Sequence, residues 1–305
     1  MIARSETGAT GRHGGRRSKG GLVLTERDLA IFRDLHDNRF LTTRQLQRLH
    51  GARVRHRLTR LARARYVDRP AAQWVWRRRE GGGSRPIVYA LGHRGAKALA
   101  AAGLTRALAR DWTERNRTLS AWSFLVPHEL AVADIRVAFR RACAGVPGLL
   151  LLQADELTGG SGARGLEVPG RDRPLYPDWI FALALEGATR SEPCLFFVEV
   201  DRCTEPNVRH GSPERQSLAR KYEGYLAFAR ARGQLEQFGV RNFRVLTVTT
   251  GGPAKVMNLA QAAFAVSGGR GAERFLATSA AALAEQDVLS VPWVNGAGQV
   301  SRLIV

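Results

Sequence analysis

Val54-Arg-His-Arg-Leu-Thr-Arg-Leu-Ala-Arg63 is the stretch on which the fold turns. Val54, Leu58 and Leu61 recur at i, i+4 and i+7, which on a helix advancing about 100° per residue makes one apolar stripe. Arg53, His56, Thr59, Arg60 and Arg63 fall on the opposite side. One side is built to pack, and the other is a row of hydrogen-bond donors. A solvated basic face is the bland reading of such a run, so the neighbouring segments decide its weight.

Upstream, the helical pattern begins at Leu24. Thr25 has the chemistry of an N-cap, and Glu26 and Asp28 favour the first turn of a helix carrying Leu29, Phe32 and Leu35. Asn38 breaks the run. Phe40 and Leu41 follow, then Thr42 or Thr43 caps a second short helix with Leu46 and Leu49, which Gly51 ends. The third helix spans residues 53–65. Two short helices and a tight glycine turn before a basic helix have the layout of a helix-turn-helix, which places the third helix against DNA.

Downstream, Gln73-Trp-Val-Trp and Pro86-Ile-Val-Tyr-Ala-Leu91 read as two strands around a glycine-rich tip with Arg77, Arg78, Arg79 and Arg85. That is a hairpin wing able to lay arginines along a groove and its phosphates. A helix from His93 to Ala102 closes the module, so residues 22–105 are expected to form a winged helix on double-stranded DNA. Residues 1–21 hold hardly any large apolar side chain and read as a disordered basic tail. Residues 106–125 read as a polar helical linker or a homodimer contact.

The charge agrees with this division. The 305-residue chain has 47 Lys+Arg and 27 Asp+Glu, net +20. Residues 1–125 hold 27 basic and 9 acidic residues (+18), whereas residues 126–305 hold 20 and 18 (+2). Codon bias explains a preference for arginine, but it acts on both halves and does not explain the asymmetry. A front half so charged calls for a polyanion.

The rear half alternates strands and helices. A helix is expected over residues 128–143 and strands over 149–154, 176–185, 194–201 and 243–249. Further helices are expected over 214–232, 254–266 and 273–284, with a glycine-rich loop at 159–170. This makes residues 126–305 a sheet domain and the whole chain α+β.

Two of these strands carry acids where a buried sheet should be apolar. Asp178 opens the run Tyr176-Pro-Asp-Trp-Ile-Phe-Ala-Leu, and Leu195-Phe-Phe-Val-Glu-Val-Asp ends on Glu199 and Asp201. Strand alternation puts Glu199 and Asp201 on one face, and on a neighbouring strand Asp178 reaches the same point. Converging carboxylates repel, and a hard divalent ion relieves that cost. Oxygen-only ligands suit Mg²⁺ or Mn²⁺, with phosphodiester hydrolysis as the chemistry. No lysine stands two residues after Glu199. Lys221 is the substitute, facing the same way as Tyr225 one turn on. Glu129 is a further acid able to join. The bland reading is that strand-end acids simply meet water.

Taken in order, Leu24-Thr-Glu-Arg-Asp-Leu-Ala-Ile, Arg39-Phe-Leu-Thr-Thr-Arg-Gln-Leu, Val88-Tyr-Ala-Leu, His128-Glu-Leu-Ala-Val-Ala-Asp, Pro177-Asp178, Phe197-Val-Glu-Val-Asp-Arg-Cys-Thr-Glu205 and Lys221-Tyr with Tyr225 resemble the replication-relaxation family of plasmids and integrative elements. The resemblance covers residues 22–230. It implies a winged helix joined to a domain similar to the PD-(D/E)XK restriction-endonuclease-like nucleases. It also implies a role in plasmid replication, DNA relaxation or element transfer, with the replication or transfer proteins of the element as partners. By position, Asp178 matches the motif's first acid and Glu199 its second. Asp201 stands where the motif has lysine, so the lysine is either supplied from elsewhere, by Lys221, or absent.

Other classes fit less well. A tyrosine relaxase needs a close histidine pair for its metal, and a P-loop ATPase needs G-x-x-x-x-G-K-[S/T]; neither pattern is present. Seven scattered histidines make a hydrolytic triad unpersuasive. No apolar run of about 18 residues suggests a membrane span. The N-terminus has no apolar signal core, and Cys143, Cys194 and Cys203 lack metal spacing or even pairing, which points to the cytoplasm. Two function classes follow. One is a metal-dependent DNA nickase or endonuclease carried by its own winged helix. The other is a non-enzymatic DNA-binding factor for replication or transcription whose nuclease-like domain does not cleave.

Overall fold

The computed structural model describes residues 22–70, 73, 84–104, 122–159, 165–186, 193–203 and 218–303. The expected tail at 1–21, Arg77, Arg78 and Arg79 of the expected wing, and residues 106–121 of the expected linker lie outside the described residues. By its contacts the chain divides into two units, residues 1–137 and 138–305.

The first unit begins as its local chemistry dictates. Thr25 caps helix α1 (Glu26–Asn38) in a capping box: its side chain accepts from the Asp28 amide, and Asp28 Oδ2 accepts from the Thr25 amide at 2.8 Å. Strand β1 (Leu41–Thr42) runs into helix α2 (Thr43–His50), where Thr42 and Gln45 repeat the same box. Gly51, with φ 81°, makes the turn into helix α3 (Val54–Arg63). Asp34 Oδ2 stands 2.7 Å from His50 Nε2, tying α1 to the end of α2. Strands β2 (Val67–Asp68) and β3 (Val88–Leu91) complete an antiparallel sheet in the order β1-β3-β2. Gln73 extends it by side-chain mimicry, its amide exchanging bonds of 3.0 and 2.9 Å with the backbone of Val88. Helix α4 (His93–Ala101) packs on α1. Ile31, Phe32, Leu46, Leu58, Leu61 and Leu91 form the buried centre.

Helix α5 (Trp122–Ala144) is longer than the 128–143 expected, and the division between units falls inside it. Ala133 and Val137 belong to the core of the first unit, while Phe139 packs against Trp179 and Phe181 of the second.

The second unit is a seven-stranded mixed sheet in the order β10-β9-β8-β7-β6-β5-β4. Its strands are β4 (Leu149–Gln153), β5 (Trp179–Leu185), β6 (Cys194–Asp201), β7 (Phe243–Thr249), β8 (Phe275–Ser279), β9 (Trp293–Asn295) and β10 (Val300–Ser301). The middle pairs β6–β7 and β7–β8 are parallel, and the outer pairs are antiparallel. Between them lie helices α6 (Ala154–Leu157), α7 (Leu218–Arg230), α8 (Gly233–Phe238), α9 (Pro253–Ser267) and α10 (Ala280–Glu285). Phe197 of β6 stacks on Tyr225 of α7 and meets Phe228 and Phe243, while the next side chain, Phe196, stacks on Phe181. This alternation buries both faces of β6.

One expected element is wrong. Residues 273–284 are expected as one helix. They form instead a 3₁₀ turn (Ala272–Arg274), strand β8, and the short helix α10 capped by Ser279. Phe275, Leu276 and Ala277 are buried and pair with β7, and Leu276 and Ala277 pair with β9 on the other side. Burial and pairing from distant strands override a local helix preference worth only tenths of a kcal/mol per residue.

Candidate functional site

Helix α3 sorts its side chains as the sequence requires. Val54, Leu58 and Leu61 are fully buried, whereas Arg53, His56, Arg60 and Arg63 are exposed and Thr59 is half-buried. Not every arginine of the helix is available. Arg57 donates from Nε to Asp28 Oδ1 at 2.8 Å and from Nη2 to Asp28 Oδ2 at 2.5 Å, so it braces α3 against the cap of α1. The Thr59 hydroxyl is also engaged, donating to the Arg55 carbonyl at 3.3 Å and accepting from Arg69 Nη2 at 3.1 Å. Arg85 is half-buried at the approach to β3. Glu129 belongs to this unit, where its carboxylate stands 3.4 Å from Arg39.

In the second unit the three acids singled out from the sequence stand at the ends of β5 and β6. Asp178 directly precedes β5; its amide donates to the Val198 carbonyl at 2.9 Å and its Oδ2 accepts from the Val200 amide at 2.8 Å. Glu199 is 1% exposed. Its Oε2 accepts from Lys221 Nζ at 2.5 Å and its Oε1 from the Tyr225 hydroxyl at 2.6 Å. Lys221 and Tyr225, one turn apart on α7, therefore close on one carboxylate, as their i, i+4 spacing predicts. Asp201 turns to other partners: the Thr249 hydroxyl at 3.0 Å, the Cys203 amide at 3.0 Å and Lys255 Nζ at 3.5 Å.

The electrostatics follow from burial. Burial pushes the Glu199 carboxyl up to about 7; Lys221 opposes the rise and the charge of Asp178 adds to it. Burial draws the Lys221 ammonium down, but the carboxylates of Glu199 and Asp178 more than offset it and hold it above its ordinary value. Two carboxylates thus act on one ammonium. Burial and the same carboxylates raise the Tyr225 hydroxyl well above its usual range, which keeps it a donor.

Asp178 and Glu199 offer the hard oxygen donors that Mg²⁺ or Mn²⁺ prefers. Both oxygens of Glu199 are nevertheless occupied by protein donors. Among the described residues, no group of three or more His, Cys, Asp or Glu side chains is arranged to hold a metal ion. As the side chains stand, the cluster neutralises itself with Lys221 in place of a cation.

The family model for replication-relaxation matches residues 32–242, more than half of the chain. The chain belongs to the replication-relaxation family. Comparison with curated proteins and with solved structures finds no match. The stretch of this replication-relaxation protein that carries the match includes α3, Asp178, Glu199, Asp201, Lys221 and Tyr225; Thr249 and Lys255 lie beyond it. No described helix is long and apolar enough to cross a membrane.

Sequence reading passed over several of these residues. Lys255 carried a signal: the chain has 43 Arg and only 4 Lys, and two of those lysines meet the two acids of β6. Arg57 carried none, because nothing local separates a bracing arginine from a solvent-facing one.

Proposed function

We propose that this protein binds double-stranded DNA through a winged helix in its first unit and serves the replication, relaxation or transfer of a plasmid or integrative element. The observation that carries this is the sorting of α3. Its apolar stripe is wholly buried, and Arg53, His56, Arg60 and Arg63 are left exposed in the half of the chain that holds the charge excess. The order helix–strand–helix–helix–strand–strand, with the third strand between the other two, supports the same reading. The arginines meet phosphates and base edges, and the element's replication or transfer proteins act on the DNA so held. Binding of labelled duplex to Arg60→Ala/Arg63→Ala tests it. Wild-type affinity and salt dependence in that variant would refute the assignment of α3.

A second reading has its own support. Asp178, Glu199 and Lys221 meet at neighbouring strand ends, the places where a PD-(D/E)XK-like nuclease carries its acids and a relocated lysine. In this reading the second unit nicks or cleaves DNA with Mg²⁺ or Mn²⁺. Any such ion must first displace Lys221 or Tyr225 from Glu199. Plasmid nicking by the wild type that Asp178→Ala and Glu199→Ala abolish supports cleavage. Equal activity in all three, or none in any with either ion, leaves a DNA-binding factor with a non-cleaving domain.

A further inference from the structure

Arg65 occupies a position that glycine normally holds. Helix α3 closes with a bond from the Arg65 amide to the Ala62 carbonyl (3.0 Å) and from the Tyr66 amide to the Leu61 carbonyl (2.9 Å). This is the helix-ending motif whose left-handed residue is usually glycine, because a Cβ there is crowded. Arg65 has φ 59° in a chain that spends 32 glycines elsewhere. Arg39 and Arg232 share the left-handed φ, but Arg39 is tied to Glu129. Among the described residues, the exposed Arg65 side chain makes no hydrogen bond or ion pair, and acts only through space on Asp68. Strain kept at an exposed cation with no hydrogen-bond or ion-pair partner among the described residues points to a ligand.

The surroundings fit an anion. A concavity of about 410 Å³ beside α3 is lined by Ala62, Arg63, Arg65, Val67, Asp68 and Arg69. Three arginines and a single aspartate are among its lining residues. Arg69 is pre-placed, with Nη2 bound to the Thr59 hydroxyl at 3.1 Å and its guanidinium carbon 5.3 Å from the Tyr89 ring centre. Its Nε is buried with no hydrogen-bond partner among the described residues. A guanidinium held in this way loses little freedom when it grips a planar pair of phosphate oxygens.

We propose that this groove seats a backbone phosphate of double-stranded DNA beside the bases met by α3, with Arg65 and Arg69 as its grips and Thr59 as the residue that positions Arg69. The assignment rests on the DNA-binding reading above and extends it to a defined phosphate site.

The test uses the full chain and a labelled random-sequence duplex, with affinity followed over a salt series. Arg65→Gly and Arg69→Ala each lower the slope of log affinity against log salt by about one, and weaken binding several-fold at moderate salt. Arg65→Gly does so without lowering the melting temperature, because glycine suits the left-handed turn. Asp68→Asn tightens binding. Arg232→Gly makes the same change of charge and backbone in the second unit and leaves the slope unchanged. If Arg65→Gly and Arg69→Ala bind like wild type while Arg60→Ala/Arg63→Ala is weakened, the groove is not the site and the role of α3 stands. If Arg232→Gly lowers the slope as much as Arg65→Gly, the effect is net charge and the proposal fails. If Arg60→Ala/Arg63→Ala also binds like wild type, the DNA-binding reading itself fails. Should Arg69→Ala melt early, Arg65→Gly decides alone.

Discussion

Arg57 reaches from the third helix to the cap of the first, holding both carboxylate oxygens of Asp28 at 2.8 and 2.5 Å. Asp28 is fully buried, and it also closes the Thr25 capping box. One carboxylate therefore starts α1 and fixes α3. Removing it costs stability twice, by losing a cap and by leaving a guanidinium without its counter-charge. Asp28→Asn is expected to destabilise the protein by about 3 kcal/mol at neutral pH, measured by urea unfolding. Loss of less than about 0.5 kcal/mol, the usual range for a surface change, would show that the pair is not a brace.

The same residue sets an acid response. Burial raises the Asp28 carboxyl, but the bonds from Arg57 and Thr25 outweigh it, so the net shift is below the ordinary 3.8. A depressed carboxyl contributes stability that is complete above its unfolded value and is lost as pH falls through its folded value. The stability gap between wild type and Asp28→Asn should hold at neutral pH and shrink below about 3.8. A gap that stays constant down to pH 2, or one that closes between pH 5 and 7, contradicts this assignment.

The Glu199–Lys221 pair makes a different prediction, because both partners are largely buried. Glu199→Ala strands an ammonium that Asp178 alone must balance, and is expected to cost about 3–5 kcal/mol. The double change Glu199→Leu/Lys221→Met removes both charges at similar volume. It should recover most of that loss, since apolar replacement of a buried ion pair is often neutral or better. Denaturant unfolding of the three proteins checks this. A double variant as unstable as Glu199→Ala would mean that the pair contributes more than mutual neutralisation.

What could be read in the sequence was what is decided locally. Thr25, Thr42 and Gly51 mark helix ends within one turn of chain, and their caps and positive φ stand where the residue types placed them. The burial of Val54, Leu58 and Leu61 and the meeting of Lys221 with Tyr225 follow from helical spacing. What escaped depends on partners distant in sequence. Strand β8 exists because β7 and β9 lie on either side of it, and Asp201 has Thr249 and Lys255 as partners where Glu199 has Lys221 and Tyr225. Arg57 and Arg60 look alike in the sequence. Only the position of Asp28, on another helix, assigns one to bracing and the other to solvent.

Gly95 ties helix α4 to the same corner of the first unit. A Cβ added there would lie 2.3 Å from the Tyr66 carbonyl oxygen and 2.7 Å from a methyl of Leu91. Tyr66 directly follows the left-handed turn at Arg65, so this close approach sets where α3 ends and β2 begins. The backbone oxygen of Tyr66 cannot swing aside as a long side chain would, because it accepts from the Gly92 amide at 2.9 Å. Gly95→Ala should therefore cost about 1–3 kcal/mol by overpacking, although alanine is the better helix former by nearly 1 kcal/mol at an open site. Thermal melting checks the sign. A rise in melting temperature would mean that α4 shifts freely against Tyr66, and that the corner holding Arg65 is looser than these contacts imply.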